Sequence, residues 1–275
     1  MIDILLSTYN GECFLREQLD SLLAQTYTDW RLFVRDDGSV DGTLALIREY
    51  CVRYPEKILE YQDELGNIGS MRSFEELLIH CVSGEYVMFC DQDDVWLPEK
   101  IAVFHQEMKR LEAAWGADLP LLVHGDMRVV DQSLGLINES FWKYANLRPD
   151  LLDENARFLG ICNDITGCSC MFNQTARHGA LPFNPRSYMH DAWIGVSVIA
   201  RGGKIHPIYK PTMLYRQHGN NTLGAVEYSR SLLNLRFRWK LARQSYANAH
   251  PLIFKNVLSF AWHKLRYLLT RHFSK

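Results

Sequence analysis

Three carboxylates fall within four residues at Asp91-Gln92-Asp93-Asp94, directly after the apolar run Tyr86 to Cys90. Crowded on one strand-end turn, they repel one another unless a cation joins them, and hard carboxylate oxygens suit Mg2+ or Mn2+. Such a metal would neutralise a diphosphate leaving group. Residue types alone leave a second reading open, a solvated acidic turn capping a helix that begins near Pro98. A second acidic turn, Arg35-Asp36-Asp37-Gly38-Ser39, also follows an apolar run. Asp37 in such a place can accept hydrogen bonds from a base or ribose. The alternative there is an Asx-type turn, with Ser39 or Asp41 capping the next helix. Ser7-Thr8-Tyr9-Asn10-Gly11 offers small hydroxyls, an aromatic ring and a glycine that could enclose a nucleobase and ribose. Neither a GxGxxG fingerprint nor a Walker lysine is present, which counts against hydride transfer and P-loop hydrolysis.

These residues need a scaffold that brings strand ends together. Short apolar runs alternate with helix-period segments through about residue 115, the pattern of an α/β fold built from βαβ units around a mostly parallel sheet. Strands are expected at Ile2 to Ser7, Trp30 to Arg35, Leu59 to Gln62 and Tyr86 to Cys90, with helices near 12–25, 41–53, 70–82 and 98–114. In open α/β sheets ligands bind beyond the carboxyl ends of the strands, where all three turns fall. From about Leu121 to Gln217 short strands mix with helices, including Leu121 to His124 and Ser169 to Phe172, and read as the acceptor-facing half of the same domain. A chain of 275 residues, 47% hydrophobic, can bury one substantial core.

Thr8-Tyr9-Asn10-Gly11, Gln25-Thr26, Arg35 to Thr43, Asn67-Ile68-Gly69 and Phe89 to Pro98 occur in the order and spacing of family 2 glycosyltransferases. The sequence closely resembles that family over roughly residues 1–224, and the resemblance implies a GT-A fold and inverting transfer from a nucleotide-sugar donor. It places Thr8, Tyr9, Asn10, Asp37, Asn67 and Arg72 around the donor. It also makes Asp91-Gln92-Asp93 the DxD element, with Asp93 on the metal and Asp91 and Gln92 on the donor. His190-Asp191-Ala192-Trp193 resembles the family's acidic base motif, so Asp191 is the candidate that takes the acceptor proton, against a helix N-cap as the alternative. Gly167 lies in a segment that lines the donor sugar in relatives, although a bulge glycine explains it nearly as well. Tyr215 to Asn221 matches a motif of bacterial rhamnosyltransferase-like members. There His218 is expected in the metal shell or on the pyrophosphate, or else as a structural histidine, and Arg216 on phosphate oxygens. The implied donor is dTDP-β-L-rhamnose, with a UDP-hexose as competitor. Outside this reading stand a nucleotidyltransferase, which usually carries a basic Gly-rich loop that Ser7 to Gly11 lacks, and a non-catalytic nucleotide-sugar-binding protein.

The formal charge of −2 hides an asymmetry: ten Lys and Arg and no acid lie between Tyr228 and Lys275, leaving about −12 elsewhere. Residues 225–275 read as a helical appendage to the 1–224 catalytic domain, two helices divided at His250-Pro251. In the second, Phe254, Val257, Leu258, Ala261, Leu265, Leu268 and Leu269 form one apolar stripe. A basic amphipathic pair suits an anionic inner membrane leaflet and would bring the enzyme to a lipid-linked acceptor, unless it is a hairpin packed on the domain with its cations solvated. No secretory signal or spanning segment is evident, so a cytoplasmic, membrane-peripheral enzyme is expected. No nucleic-acid recognition module appears. Seven scattered cysteines suit a reduced compartment, and Cys162, Cys168 and Cys170 lack the paired spacing of a zinc site, so they read as buried thiols.

Overall fold

The first strand owes its place to an apolar run that is buried on both faces, as a central parallel strand must be. In the computed structural model, which describes residues 1–219 and 235–273, this is β1 (Ile2–Thr8). The other strands are β2 (Trp30–Asp36), β3 (Ile58–Glu60), β4 (Tyr86–Cys90), β5 (Val95–Trp96), β6 (Leu121–Gly125), β7 (Arg128–Val130), β8 (Leu136–Asn138), β9 (Cys170–Asn173), β10 (Lys204–Ile208) and β11 (Met213–Arg216). The main sheet runs β10-β6-β9-β4-β1-β2-β3. β1 pairs in parallel with both β2 and β4, with Ile2 opposite Trp30 and Tyr86, so three loops leave the same edge side by side. Only β9 runs antiparallel, between β4 and β6.

Side chains alternate across the strands and divide the core into two layers. Ile4 and Leu6 of β1 and Met88 of β4 face the layer that holds Leu15, Leu19, Ile47 and Phe104. Leu5, Val87 and Phe89 face the layer that holds Phe74, Leu77, Leu78 and Ile194. The covering helices include α1 (Glu12–Leu23), α2 (Thr43–Arg53), α3 (Ser70–His80) and α4 (Lys100–Trp115), within a few residues of the expected bounds. Shorter helices follow at α5 (Phe141–Tyr144), α6 (Leu151–Glu154) and α7 (Gln174–Ala180), then α8 (His190–Ala200).

A second sheet, β5-β11-β7-β8, was not expected from the sequence. Its strands are two to four residues long, too short for an alternating pattern to register. Through β5 and β11 it anchors the acidic turn after β4.

The tail forms α9 (Leu235–Ala249) and α10 (Val257–Phe273), divided near His250-Pro251 as expected. The proposed boundary at 224, the junction beyond Gly219, and Asn220 and Asn221 lie outside the described residues. The expected apolar stripe is not the packed one. Of its members Phe254 is buried, whereas Val257, Leu258, Leu265, Leu268 and Leu269 are exposed. Phe260, His263 and Tyr267 share a second helical face and are buried instead. Their rings fill the groove beside Tyr246, Phe254 and Phe158, leaving the aliphatic face outward.

Candidate active site

Hydrogen bonds fasten the loops after β1, β2 and β4 to one another. The backbone N–H of Asp37 donates to the Thr8 carbonyl at 2.8 Å, and the Thr8 hydroxyl donates to Asp36 Oδ1 at 2.9 Å. Gln92 clasps the Tyr9 backbone twice, Oε1 accepting from its N–H at 2.9 Å and Nε2 donating to its carbonyl at 3.0 Å. Gly11 makes room for that clasp, because a Cβ there would come within 2.3 Å of Gln92 Oε1. Asn10, at φ +48°, takes the backbone conformation that asparagine tolerates, and its Oδ1 accepts from Val40 N–H at 2.9 Å. The Tyr9 side chain is left half exposed at the edge.

The two acidic residues after β2 divide the roles expected of one. Asp36 makes the Asx-type turn, accepting from Ser39 N–H at 2.8 Å, and Asp41 accepts from Thr43 N–H at 3.0 Å at the start of α2. Asp37 is buried, and its carboxylate accepts from Arg35 Nη1 at 2.6 Å, Ile68 N–H at 2.9 Å and Gly69 N–H at 2.8 Å. Its oxygens therefore already hold the Asn67 loop against β2, with Asn67 itself exposed. Arg72 is largely exposed and pairs with Glu75 at 3.2 Å.

After β4, the capping alternative for the acidic turn fails: β5 intervenes, and α4 begins at Lys100 with no side-chain cap. Asp94 is fully buried. One of its oxygens accepts from Arg216 N–H at 3.0 Å, and the other has no partner among the described residues. Burial, then the charges of Asp93 and Asp91, push its carboxyl well above the usual range. Asp91 is pushed up to about 7, first by burial and then by Asp93. Such shifts are what crowded carboxylates show without a cation between them. Asp93 Oδ2 lies 2.7 Å from His218 Nε2, bringing together two residues 125 apart in sequence. Asp91, Asp94 and Cys168 also offer ligand atoms within 4.8 Å of one another. Burial holds the Cys168 thiol well above its ordinary value, so it is neutral and soft, a poor ligand for a hard cation. The carboxylates of Asp91, Asp93 and Asp94 are of the type that suits Mg2+ or Mn2+, and His218 adjoins Asp93.

Arg216 departs from its expected part. Its side chain is 2% exposed; the guanidinium donates to Asp93 O at 2.7 Å and Gln132 O at 2.8 Å, pairs with Glu17, and lies 4.7 Å over the Phe14 ring. Its guanidinium is thus engaged by protein groups and clamps the acidic turn. Sequence reasoning missed Lys100 altogether. Its ammonium is fully buried, donates to the Cys168 carbonyl at 2.5 Å and sits 3.9 Å over Trp96, and burial pushes it down to about 8. It places a positive charge near Asp94. The one signal was a lysine opening a helix whose next turn is apolar.

Because β9 runs antiparallel beside β4, the turn that feeds it, Gly167–Ser169, meets the carboxyl end of β4. Gly167 N–H donates to Asp191 Oδ2 at 2.9 Å, which carries Asp191 to the same edge. Asp191 is the second residue of α8, after the N-cap Met189, so the capping alternative fails here too. Its Oδ1 accepts from Ala192 N–H at 2.5 Å and Asn163 Nδ2 at 3.4 Å. The carboxyl is 7% exposed, and burial pushes it up to about 6 against those hydrogen bonds. Its charge is among those that raise Asp91. Gly167 is not a strand bulge: a Cβ would meet His190 Nε2 at 2.4 Å. His190 packs 4.2 Å from Phe74 and 4.7 Å from Phe89, and burial lowers it to about 3, leaving it neutral.

The sequence model described as Glycosyl transferase family 2 matches residues 3–174, which contain the Thr8, Asp37, Asp93 and Gly167 segments. The chain belongs to this family. Among its relatives, the dTDP-rhamnosyl transferase RfbG of Shigella flexneri is 28% identical over 233 residues, covering 80% of this chain and 74% of that protein. The putative glycosyltransferase EpsE of Bacillus subtilis is 31% identical over 103 residues, covering 36% of this chain and 35% of its own length. This family 2 chain also superposes on Staphylococcus aureus TarS 1-349 in complex with UDP, with a TM-score of 0.63 at 19% identity over 100% of this chain and 72% of TarS 1-349. The mannosyltransferase PcManGT of Pyrobaculum calidifontis, in complex with GDP-Man and Mn2+, gives a TM-score of 0.56 at 15% identity over 98% of this chain and 80% of that one. The GT-A fold implied by the motifs is thereby shown, and the glycosyltransferase class with it.

Proposed function

We propose that this family 2 glycosyltransferase moves a sugar from a nucleoside-diphosphate donor to an acceptor hydroxyl in one inverting displacement, with Asp191 as the base. The observation that carries this reading is a nearly buried carboxyl near 6, fixed by Gly167 N–H at the sheet edge where the acidic turn lies. The acceptor oxygen bonds to the anomeric carbon as its proton passes to Asp191. The bond from that carbon to the diphosphate oxygen breaks, and nucleoside diphosphate leaves with the bonding pair. A base near 6 is largely ionised at neutral pH yet still competent to take a proton. Mg2+ or Mn2+ held by Asp93 and His218, with Asp91 beside them, would supply positive charge for the departing diphosphate. The contact between Asp93 and His218 and the crowding that raises Asp91 support this assignment. Asp191→Asn and Asp93→Ala are each expected to abolish transfer while the protein stays folded. Near wild-type transfer by Asp191→Asn would remove it from this role.

For the donor we propose dTDP-β-L-rhamnose with an α-linked product, supported by the Shigella relative and the Tyr215 to His218 motif. The UDP in the TarS complex favours the second reading, a UDP-hexose. A thermal-shift series with dTDP-rhamnose, UDP-glucose and UDP-galactose in the presence of Mn2+ separates them; stabilisation by the UDP-sugars alone would overturn rhamnose. We further propose a lipid-linked acceptor reached at the cytoplasmic face of an anionic membrane. Supporting this, α10 turns Val257, Leu258, Trp262, Leu265, Leu268 and Leu269 outward, and residues 235–273 carry eight Lys and Arg without one acid. No helix among the described residues is long and apolar enough to cross a membrane, so the contact proposed is peripheral.

A further inference from the structure

A cavity of about 750 Å³ lies between α9 and the segment that leads into α8. Trp239, Lys240, Arg243, Gln244, Tyr246 and Ala247 form one wall, following the 3- and 4-residue spacing of a single helix face, and Arg186 forms the other. Three cations line it, and no carboxylate does among the described residues. The Arg243 guanidinium lies 5.6 Å from the Trp239 ring, which is 67% exposed. Guanidinium forks match phosphate oxygens, and exposed indoles favour the boundary between lipid and water.

Its position in the fold narrows the ligand. Asn248, next to the cavity wall on α9, is buried and donates from Nδ2 to the Ala192 carbonyl at 3.0 Å, while its Oδ1 accepts from the Ser187 hydroxyl. The Asn184 side chain donates to the Ala247 carbonyl at 3.4 Å. The basic wall is thus fastened to the first turn of α8, the turn that carries Asp191. On its far side Tyr246 packs edge-on against Phe260 of α10 at 5.5 Å, so the cavity adjoins the helix whose aliphatic face is outward.

We propose that this cavity binds the phosphate group of the lipid that carries the acceptor. The proposal rests on the reading that the acceptor is lipid-borne. Bulk phospholipid headgroups share the phosphate chemistry, but the tie to the Asp191 turn favours the carrier: holding its phosphate there would tether the acceptor sugar on the side of the base. Cations near an anionic lipid surface contribute about fivefold in binding each, so removing three should weaken it about a hundredfold.

The test is sedimentation of the full chain with two sets of phosphatidylcholine vesicles at matched surface charge, one containing polyprenyl diphosphate and the other phosphatidylglycerol. The variant Arg186→Gln/Lys240→Gln/Arg243→Gln is compared with Lys255→Gln/Lys264→Gln/Arg266→Gln, which loses the same charge away from the cavity. On phosphatidylglycerol both variants are expected to lose alike, about a hundredfold, while on polyprenyl diphosphate vesicles the cavity variant is expected to lose at least about fivefold more than the control. Equal losses on the polyprenyl diphosphate vesicles, or a cavity-specific loss on phosphatidylglycerol, would overturn the assignment. Metal-dependent hydrolysis of the donor without acceptor is followed in parallel. Both variants should keep wild-type hydrolysis; a loss in the cavity variant alone would overturn a binding role separate from the donor site.

Discussion

Replacing Asp191 with asparagine should uncouple stability from pH as well as stop transfer. The carboxyl stands near 6 in the fold against an ordinary 3.8. Between those values the folded state holds the proton more tightly than the unfolded chain, so stability falls as pH rises through the window. Above it, the ionised carboxylate costs about 3 kcal/mol, roughly two pH units at about 1.4 kcal/mol each. Asparagine keeps the shape without the charge. Its single carbonyl oxygen can accept from Gly167 N–H or Ala192 N–H, but its amide group then faces the other donor, a loss of about 1–3 kcal/mol at every pH. The two effects nearly cancel at neutral pH, so the informative quantity is the change with pH. From about pH 4.5 to about pH 8 the wild type should lose about 2 kcal/mol that the variant retains, which separates their melting temperatures by about 4–8 °C more at the higher pH. Asp91 titrates near 7 in the same direction, so the difference between the proteins is read, not either curve alone. Calorimetric unfolding of nucleotide-free protein measures it. Parallel pH profiles for the two proteins would refute a raised Asp191 carboxyl. Transfer itself should fall about a hundredfold or more in the variant, and the wild-type rate should rise with pH through about 6.

Mn2+ binding, followed by titration calorimetry without nucleotide, should weaken about tenfold or more in Asp93→Ala and in His218→Ala and be unchanged in Cys168→Ser; a loss confined to the cysteine variant would move the metal to the other cluster. Gly11→Ala should destabilise the protein by about 1–3 kcal/mol and raise the donor KM, because the new methyl meets the Gln92 amide. Gln92→Ala in the same chain should recover part of that loss, and strictly additive effects in denaturant unfolding would refute the contact. Leu258→Glu/Trp262→Glu/Leu265→Glu should abolish sedimentation with anionic vesicles at unchanged melting temperature, whereas Phe260→Ala should cost about 3–5 kcal/mol; full vesicle binding by the triple variant would refute membrane contact through α10.

The strands that carry the site were legible because β1 and β4 are apolar runs buried on both faces and β2 alternates, and the loop after each was marked by Asp, Gly and Asn where the chain turns back. The residue types around Thr8, Asp37 and Asp91 to Asp94, and the family resemblance at Asp191, raised the expectation of donor, metal and base at these loops. Local spacing could not say which carboxylate takes which part. Asp36 and Asp37 are adjacent, yet one builds a turn and the other a buried knot with Arg35 and the Gly69 loop. In α10 two apolar faces compete, and only the shape of the groove beside Phe158 and Tyr246 selects the aromatic one.

The sequence by itself determined the sheet's central strands, the turns at their carboxyl ends and the family they resemble, since these depend on short-range periodicity and turn chemistry. Tertiary structure alone decided that Arg216 clamps an aspartate 122 residues away, that Lys100 lies buried near it, and that antiparallel β9 delivers Gly167 and Asp191 to the same edge. Those contacts arise from burial, which joins residues far apart in the chain and raises their carboxyls; no pattern in neighbouring residues encodes it.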